Sequence, residues 1–341
     1  MATYYFRSTG GGGNWNNAAA WSLTDGGGAT GAVPTAADDA YFTSNSQACT
    51  VNTATAVCKT LVFSGVGAGN YANTITMTNS ITVSGNVTLS ATMTIAGTGA
   101  ITVSAAATLT SNGKAWPNTL SLNASVTYTL ADNWVVNGTM LFGGTNPIVN
   151  GNQITMNAGL SVQTLAGGTI TGTTTLVFAG TGTWSHTTTA ALRLNTNINL
   201  SGTLTISGNV YYNTGTLTYT AGTLTITGST LNTAASTTFN ISGTTLNNIT
   251  FSATSTITMS SGINCTGTLT ISGAVTFSGA FNITAGPLTI TTNGTVTLTG
   301  NITASGLVTL GSGGNITTIS SSGGTRTITA NSGFTNGSTS G

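Results

Sequence analysis

The segment from Ile198 to Val210 reads INLSGTLTISGNV, and further along the chain Ile263 to Val275 reads INCTGTLTISGAV. The echo continues downstream, TAGTLTIT from Thr220 to Thr227 against TAGPLTIT from Thr284 to Thr291, with the offset between copies shortened by a single position. A chain that repeats itself on this scale folds as a stack of similar units, each burying its apolar face against the next, and not around one globular core. Within each long copy the TLTI-type segments recur about 20 residues apart, Leu204 to Leu224 and Leu269 to Leu288, which is the length of one solenoid coil. Thr and apolar residues alternate inside each segment, the period-two pattern of a strand with one buried face. Leu204, Ile206, Leu224, Ile226, Leu269 and Ile271 are therefore expected to point inward.

Composition narrows the fold further. Charged residues make up 3% of the chain against roughly 25% in an ordinary soluble protein, and there is no Glu. A helical domain draws on Glu, Lys, Leu and Ala, whereas Thr, Ser, Asn and Gly favour strands and tight turns. The expected fold is all-β: a right-handed parallel β-helix, or β-solenoid, with an N-terminal cap. Residues 1–60 hold three of the four Asp and two of the five Trp and read as a cap or attachment region, with Trp15 and Trp21 large enough to cover the first coil. Residues 61–320 read as coils, and 321–341 as a C-terminal strand, TRTITA, followed by a flexible Gly/Ser/Thr tail. Asn112-Gly113, Asn137-Gly138 and Asn293-Gly294 are expected to mark corners that need positive φ.

The opening TYYFRSTGGGGNWNNAAAWSLTDGGGATGAVPTAADDAYF, then CTVNTATAVCKTLVFSG from Cys49 and SNGKAWPNTLSLNASVTYTLADNWVVNGTM from Ser111, resemble the N-terminal region and first coils of repetitive β-solenoid proteins of environmental phages and bacteria. The resemblance runs from the start of the chain to about position 160. It implies a parallel β-helix rod used as a virion appendage or surface protein, and it implies no chemistry.

Chemistry is scarce in the residues themselves. Glycoside hydrolysis takes two carboxylates held across the scissile bond, and the whole supply here is Asp25, Asp38, Asp39 and Asp132. Asp38 and Asp39 are neighbours that face opposite sides of a strand, while Asp25 and Asp132 fall in separate turns, so all four read as turn and cap residues. His186, the one His, lies in GTWSHTTTA with no nucleophile motif around it and reads as a surface residue. Cys265 stands where the other copy has Leu200 and reads as a small buried hydrophobe; the spacing of Cys49 and Cys58 leaves a disulfide or separate packing open. No catalytic, cofactor-binding or metal-binding residue is assigned, and no cofactor is expected. Asn-x-Ser/Thr triplets recur, for example at Asn86, Asn123, Asn248 and Asn301; they follow from the composition and are not assigned as glycan sites.

A net charge of +1 gives no electrostatic basis for nucleic-acid binding, and no apolar run approaches the roughly 18 residues of a membrane span. The opening MATYYFRSTGGGG has neither a basic leader nor an apolar stretch, so a conventional secretory signal is not expected there; a virion protein folded in the host cytoplasm and released by lysis needs none. The expected function is that of a non-enzymatic structural protein of a phage virion, in a tail fibre, tailspike or capsid-attached appendage, serving as a rigid rod and adhesion surface. Its expected partners are itself, as a homotrimer or filament, other virion proteins, and a host surface glycan or receptor. The alternative is a bacterial cell-surface or filament-forming adhesin. A carbohydrate-active enzyme and an ice-binding solenoid rank below both, the latter because Tyr211-Tyr212, Phe277 and Phe281 interrupt the Thr-x-Thr rows.

Overall fold

The computed structural model describes the chain apart from residues 8–12, 144–145, 158, 163–168, 180, 187–191, 201–202, 207–209, 213–214, 220–222, 227–229, 234–236, 241–244, 253, 260–261, 280–281, 293, 312–317 and 337–341. In the strands within 159–169, 181–230 and at 232, 237, 239, 240 and 336 it describes the path of the chain and not the side chains. The fold is a parallel β-solenoid with almost no helix; a 3-10 turn spans Ala18–Ala20. Two compact units divide the chain, residues 1–165 with 171–174, and residues 166–170 with 175–341.

In the first unit each coil is three short strands joined by tight corners. Thr60–Val62, Thr74–Met77 and Ile81–Val83 form one coil, and Val87–Thr88, Thr94–Gly97 and Ile101–Val103 form the next. Each strand pairs in parallel with its equivalent one coil on: Leu61 lies beside Val87, Ile75 beside Ile95, and Ile81 beside Ile101. Because side chains alternate along a strand, this register stacks apolar residues into continuous columns. One column runs Ala40, Leu61, Val87, Leu109, Leu130, and another runs Val83, Val103, Leu122, Phe142. All nine of these side chains are buried, and each fully buried large aliphatic side chain contributes about 1.5–3 kcal/mol relative to exposure.

Residues 1–60 join this architecture. Thr3–Phe6 runs parallel to Asp39–Tyr41 on one side, and on the other pairs antiparallel with Trp21–Ser22, Tyr5 opposite Ser22 and Phe6 opposite Trp21. Trp15 and Trp21 are buried against each other, ring centroids 4.9 Å apart, and Trp21 meets Phe6 edge-on at 5.0 Å. From there a stacked ladder climbs the coils, Phe6 to Phe42 at 5.1 Å and Phe42 to Phe63 at 4.7 Å.

The second unit repeats the three-strand coil. Ile249, Leu269, Leu288, Val308 and Phe334 form one inward column, and Ile263, Ile283, Ile302 and Ile328 another. Leu269 and Ile271 are buried as expected. The side chains of Leu204, Ile206, Leu224 and Ile226 lie outside the described residues, but their strands pair in the expected coil-length register, Leu204 beside Leu224 and Ile206 beside Ile226.

The long repeat does not span a whole number of coils. Leu269 stacks in the column Val210, Leu231, Ile249, Leu269, whereas its sequence counterpart Leu204 belongs to the strand before Val210. Three coil steps lead from Val210 up to Leu269, and a further strand and turn lead back from Val210 to Leu204, so the offset between copies is three coils plus one strand and its turn. Matching segments therefore occupy neighbouring faces of the coil, and the strand with its turn is the unit that repeats.

At the corners, Asn112 and Gly113 adopt the expected positive φ, 51° and 75°. Gly138 and Gly294 do not, which corrects the expectation for their pairs; Asn293 lies outside the described residues. Glycine is required at 138 for closeness instead, since a Cβ there would run into the Asn118 carbonyl of the coil below.

Candidate functional site

The carboxylates are set by the turns that hold them. Asp38 accepts from the Ala2 amide at 2.7 Å, the Thr35 hydroxyl at 2.6 Å and the Thr35 amide at 3.1 Å, tying the start of the chain to the 35–38 turn. The Thr35 hydroxyl first, and the Ala2 amide next, hold its pKa below the ordinary aspartate value. Asp132 accepts from the Ser111 amide at 2.7 Å and the Asn112 amide at 2.6 Å, gripping the turn where Asn112 sits at positive φ. Asp25 receives the Thr43 hydroxyl at 2.8 Å, the Asn45 amide group at 3.3 Å and the Ala68 backbone amide at 2.6 Å, so one carboxylate gathers three loops. Asp39 lies on the strand beside Thr3 and Thr60. The His186 side chain is outside the described residues.

The three thiols are buried and free: Cys49 and Cys58 stand on separate strands without a disulfide, and Cys265 donates to the Asn247 carbonyl at 2.9 Å. Burial pushes all three thiols up, Cys265 to about 11 and the other two further.

Corner asparagines carry a second set of coil-to-coil bonds. The Thr108 amide donates to Asn86 Oδ1 at 2.7 Å, the Thr268 amide to Asn248 Oδ1 at 2.8 Å, and the Thr327 amide to Asn301 Oδ1 at 3.0 Å. Three of the Asn-x-Ser/Thr asparagines named above thus use their side chains to accept a backbone amide from the next coil.

Outside, register converts scattered Thr residues into columns. Thr250, Thr270, Thr289, Thr309 and Thr335 run up one face of the second unit, and Thr256, Thr276, Thr297 and Ser320 up another. Phe277 does not interrupt them, contrary to expectation: it is buried and meets Phe251 edge-on at 5.3 Å. Phe281 and the side chains of Tyr211 and Tyr212 lie outside the described residues.

Sequence reasoning missed one outward pair. Tyr5 and Tyr41, distant in the chain, are register partners, with half-buried rings meeting edge-on at 5.5 Å on the outer face of the first unit. Partial burial, and then the charge of neighbouring Asp39, raise the Tyr41 pKa. Both tyrosines alternate with inward residues, Tyr4 and Phe6 for one and Ala40 and Phe42 for the other, and that alternation is the legible signal. No described helix is long and apolar enough to cross a membrane. Comparison with family models, curated proteins and solved structures finds no match.

Proposed function

We propose that this protein is a non-enzymatic structural protein of a phage virion, in a tail fibre, tailspike or capsid-attached appendage, serving as a rigid rod whose outer faces form an adhesion surface. The reading is supported chiefly by what the polar residues do. Asp25, Asp38 and Asp132 fasten turns through backbone amides, and corner asparagines stitch one coil to the next. Three of the four carboxylates thus hold turns together, which supports a mechanical reading. The opening motifs, with their resemblance to repetitive β-solenoid proteins of phages and bacteria, are in keeping with a virion appendage as the setting for such a rod. The outward Thr columns and the Tyr5–Tyr41 pair offer uncharged contact surface of the kind that meets glycans or neighbouring structural proteins.

Electron cryo-microscopy of native source material tests the proposal, with virus particles and cell debris imaged together after labelling by an antibody to this chain. Label on a virion appendage into whose density the coils fit is the expected result. Label confined to cell-surface fibres or free filaments overturns the virion assignment in favour of a bacterial adhesin.

A further inference from the structure

We propose that Asn137 is a self-modifying site: with the help of Asn157 one coil on, the folded chain converts the Asn137 side-chain amide, through a cyclic imide with the Gly138 nitrogen, into aspartate and isoaspartate.

The chain carries five Asn-Gly pairs, at Asn112, Asn137, Asn150, Asn293 and Asn336. In each, the backbone nitrogen placed to attack the asparagine side chain belongs to glycine, which has no Cβ to crowd the approach. Asn293 and Gly337 lie outside the described residues. The other three pairs belong to the first unit and differ in how their reacting groups are held. Asn112 Nδ2 donates to the Leu89 carbonyl at 2.8 Å, its backbone N–H to Asp132 at 2.6 Å, and the Gly113 N–H to the Ser111 hydroxyl at 3.0 Å. Nucleophile and leaving group are both tied there. At Asn150 a single residue pins both partners: the Thr173 backbone N–H donates to Asn150 Oδ1 at 3.2 Å, and the Thr173 hydroxyl accepts the Gly151 N–H at 3.0 Å.

Asn137 differs from both. It stands exposed at the corner between Trp134–Val136 and Thr139–Phe142, and among the described residues the Gly138 N–H has no hydrogen-bond partner. Asn157, which follows the strand paired with Trp134–Val136, donates from Nδ2 to Asn137 Oδ1 at 2.7 Å. A donor on that oxygen draws electron density from Cγ and stabilises the oxyanion that forms when the Gly138 nitrogen adds there. Of the three pairs, this one alone combines a free nucleophile with a polarised electrophile.

Water is the co-reactant. The Gly138 nitrogen gives its proton to hydroxide and bonds to Asn137 Cγ; the Cγ–Nδ2 bond breaks, and ammonia leaves with that electron pair and a proton from water. Water then opens the imide. Breaking the new Cγ–N bond gives aspartate, and breaking the bond from the Asn137 carbonyl carbon to the Gly138 nitrogen gives isoaspartate. Either product adds a carboxylate and takes the net charge from +1 to zero. Isoaspartate also adds a methylene to the main chain, at a corner where even a Cβ on Gly138 would run into the Asn118 carbonyl. The joint between Asn118 and Gly138 is therefore the one that ageing loosens first among these corners.

Peptide mapping by mass spectrometry is the test, on the full chain incubated at pH 8 either folded or in urea, with isoaspartate marked by enzymatic carboxyl methylation. In the folded chain Asn137 should lose its amide at least tenfold faster than Asn112 and Asn150, whereas in urea the three rates should converge. Asn157→Ala, a change at an exposed residue that withdraws the donor, should slow the reaction at Asn137 at least threefold in the folded chain and leave its rate in urea unchanged. Circular dichroism checks that this variant keeps its strands; should it not, the comparison of folded and urea-treated native chain decides alone. Equal rates at the three asparagines in the folded chain, an Asn137 amide that stays intact there while the urea sample reacts, or an unchanged or faster reaction in a folded Asn157→Ala chain would each overturn the proposal.

Discussion

Phe42 sits at the centre of the aromatic ladder, and its truncation tests the register on which the first unit is built. Its ring is fully buried, with centroids 4.7 Å from Phe63, 5.1 Å from Phe6 and 5.4 Å from Tyr71. A buried aromatic side chain removes roughly 200 Å² from water, worth about 5 kcal/mol at about 25 cal/mol per Å². Truncations of this kind cost about 3–5 kcal/mol once partial collapse of the cavity is allowed for. Tyr5 pairs with Tyr41 on the outer side of the same layer, so Tyr5→Ala loses one edge contact, about 0.5–1.5 kcal/mol. Tryptophan fluorescence reads this unit, since Trp15, Trp21, Trp116 and Trp134, four of the five tryptophans, are buried in it. With a urea slope of about 2 kcal/mol per M, Phe42→Ala should lower the unfolding midpoint by about 1.5–2.5 M and Tyr5→Ala by less than about 0.8 M. Equal shifts for the two variants, or a larger one for Tyr5→Ala, would refute the assignment of inward and outward faces.

Other outcomes follow from single contacts. Asp132→Ala removes two charge-assisted bonds to the amides of Ser111 and Asn112 and should cost about 2–3 kcal/mol in chemical denaturation, with a small effect counting against its role in the turn. Because the Asp38 pKa is lowered in the folded state, its contribution is present above the ordinary aspartate pKa of about 3.9 and is lost as pH falls below it. Acid unfolding followed by circular dichroism should therefore be shallower in Asp38→Asn. The thiols should resist a maleimide at pH 8 in the native protein and react, all three, in denaturant. Their raised pKa values contribute stability fully below the ordinary thiol pKa of about 8.5, and that stability is lost as pH rises toward the folded values. Gly113→Ala meets only the penalty of positive φ, about 1–2 kcal/mol, whereas Gly138→Ala forces a Cβ into the Asn118 backbone and should cost about 1–3 kcal/mol and broaden amide signals of both coils.

Inward and outward placement is legible without a structure wherever Thr alternates with Leu, Ile or Val, because a strand carries successive side chains to opposite sides whatever its neighbours are. Leu269, Ile271 and Cys265 belong to the core on that ground alone, and the coil-length step correctly pairs Leu204 with Leu224 and Leu269 with Leu288. Phe277 obeys the same rule: its bulk suggests an outward interruption, but its parity with Val275 in Val275–Ser278 decides, and it is buried.

Tertiary structure decided which face each strand occupies, since that depends on the summed lengths of all preceding turns and not on any local pattern. The steps from Val210 to Leu231, Ile249 and Leu269 differ in length and leave the alternation untouched, yet together they place Leu269 above Val210 and not above Leu204. The same accumulation brings Tyr5 to Tyr41, the Ala68 amide to Asp25, and five threonines from Thr250 to Thr335 into one column. Periodicity fixes what a strand buries; only the closed path of the coils fixes what it stands beside.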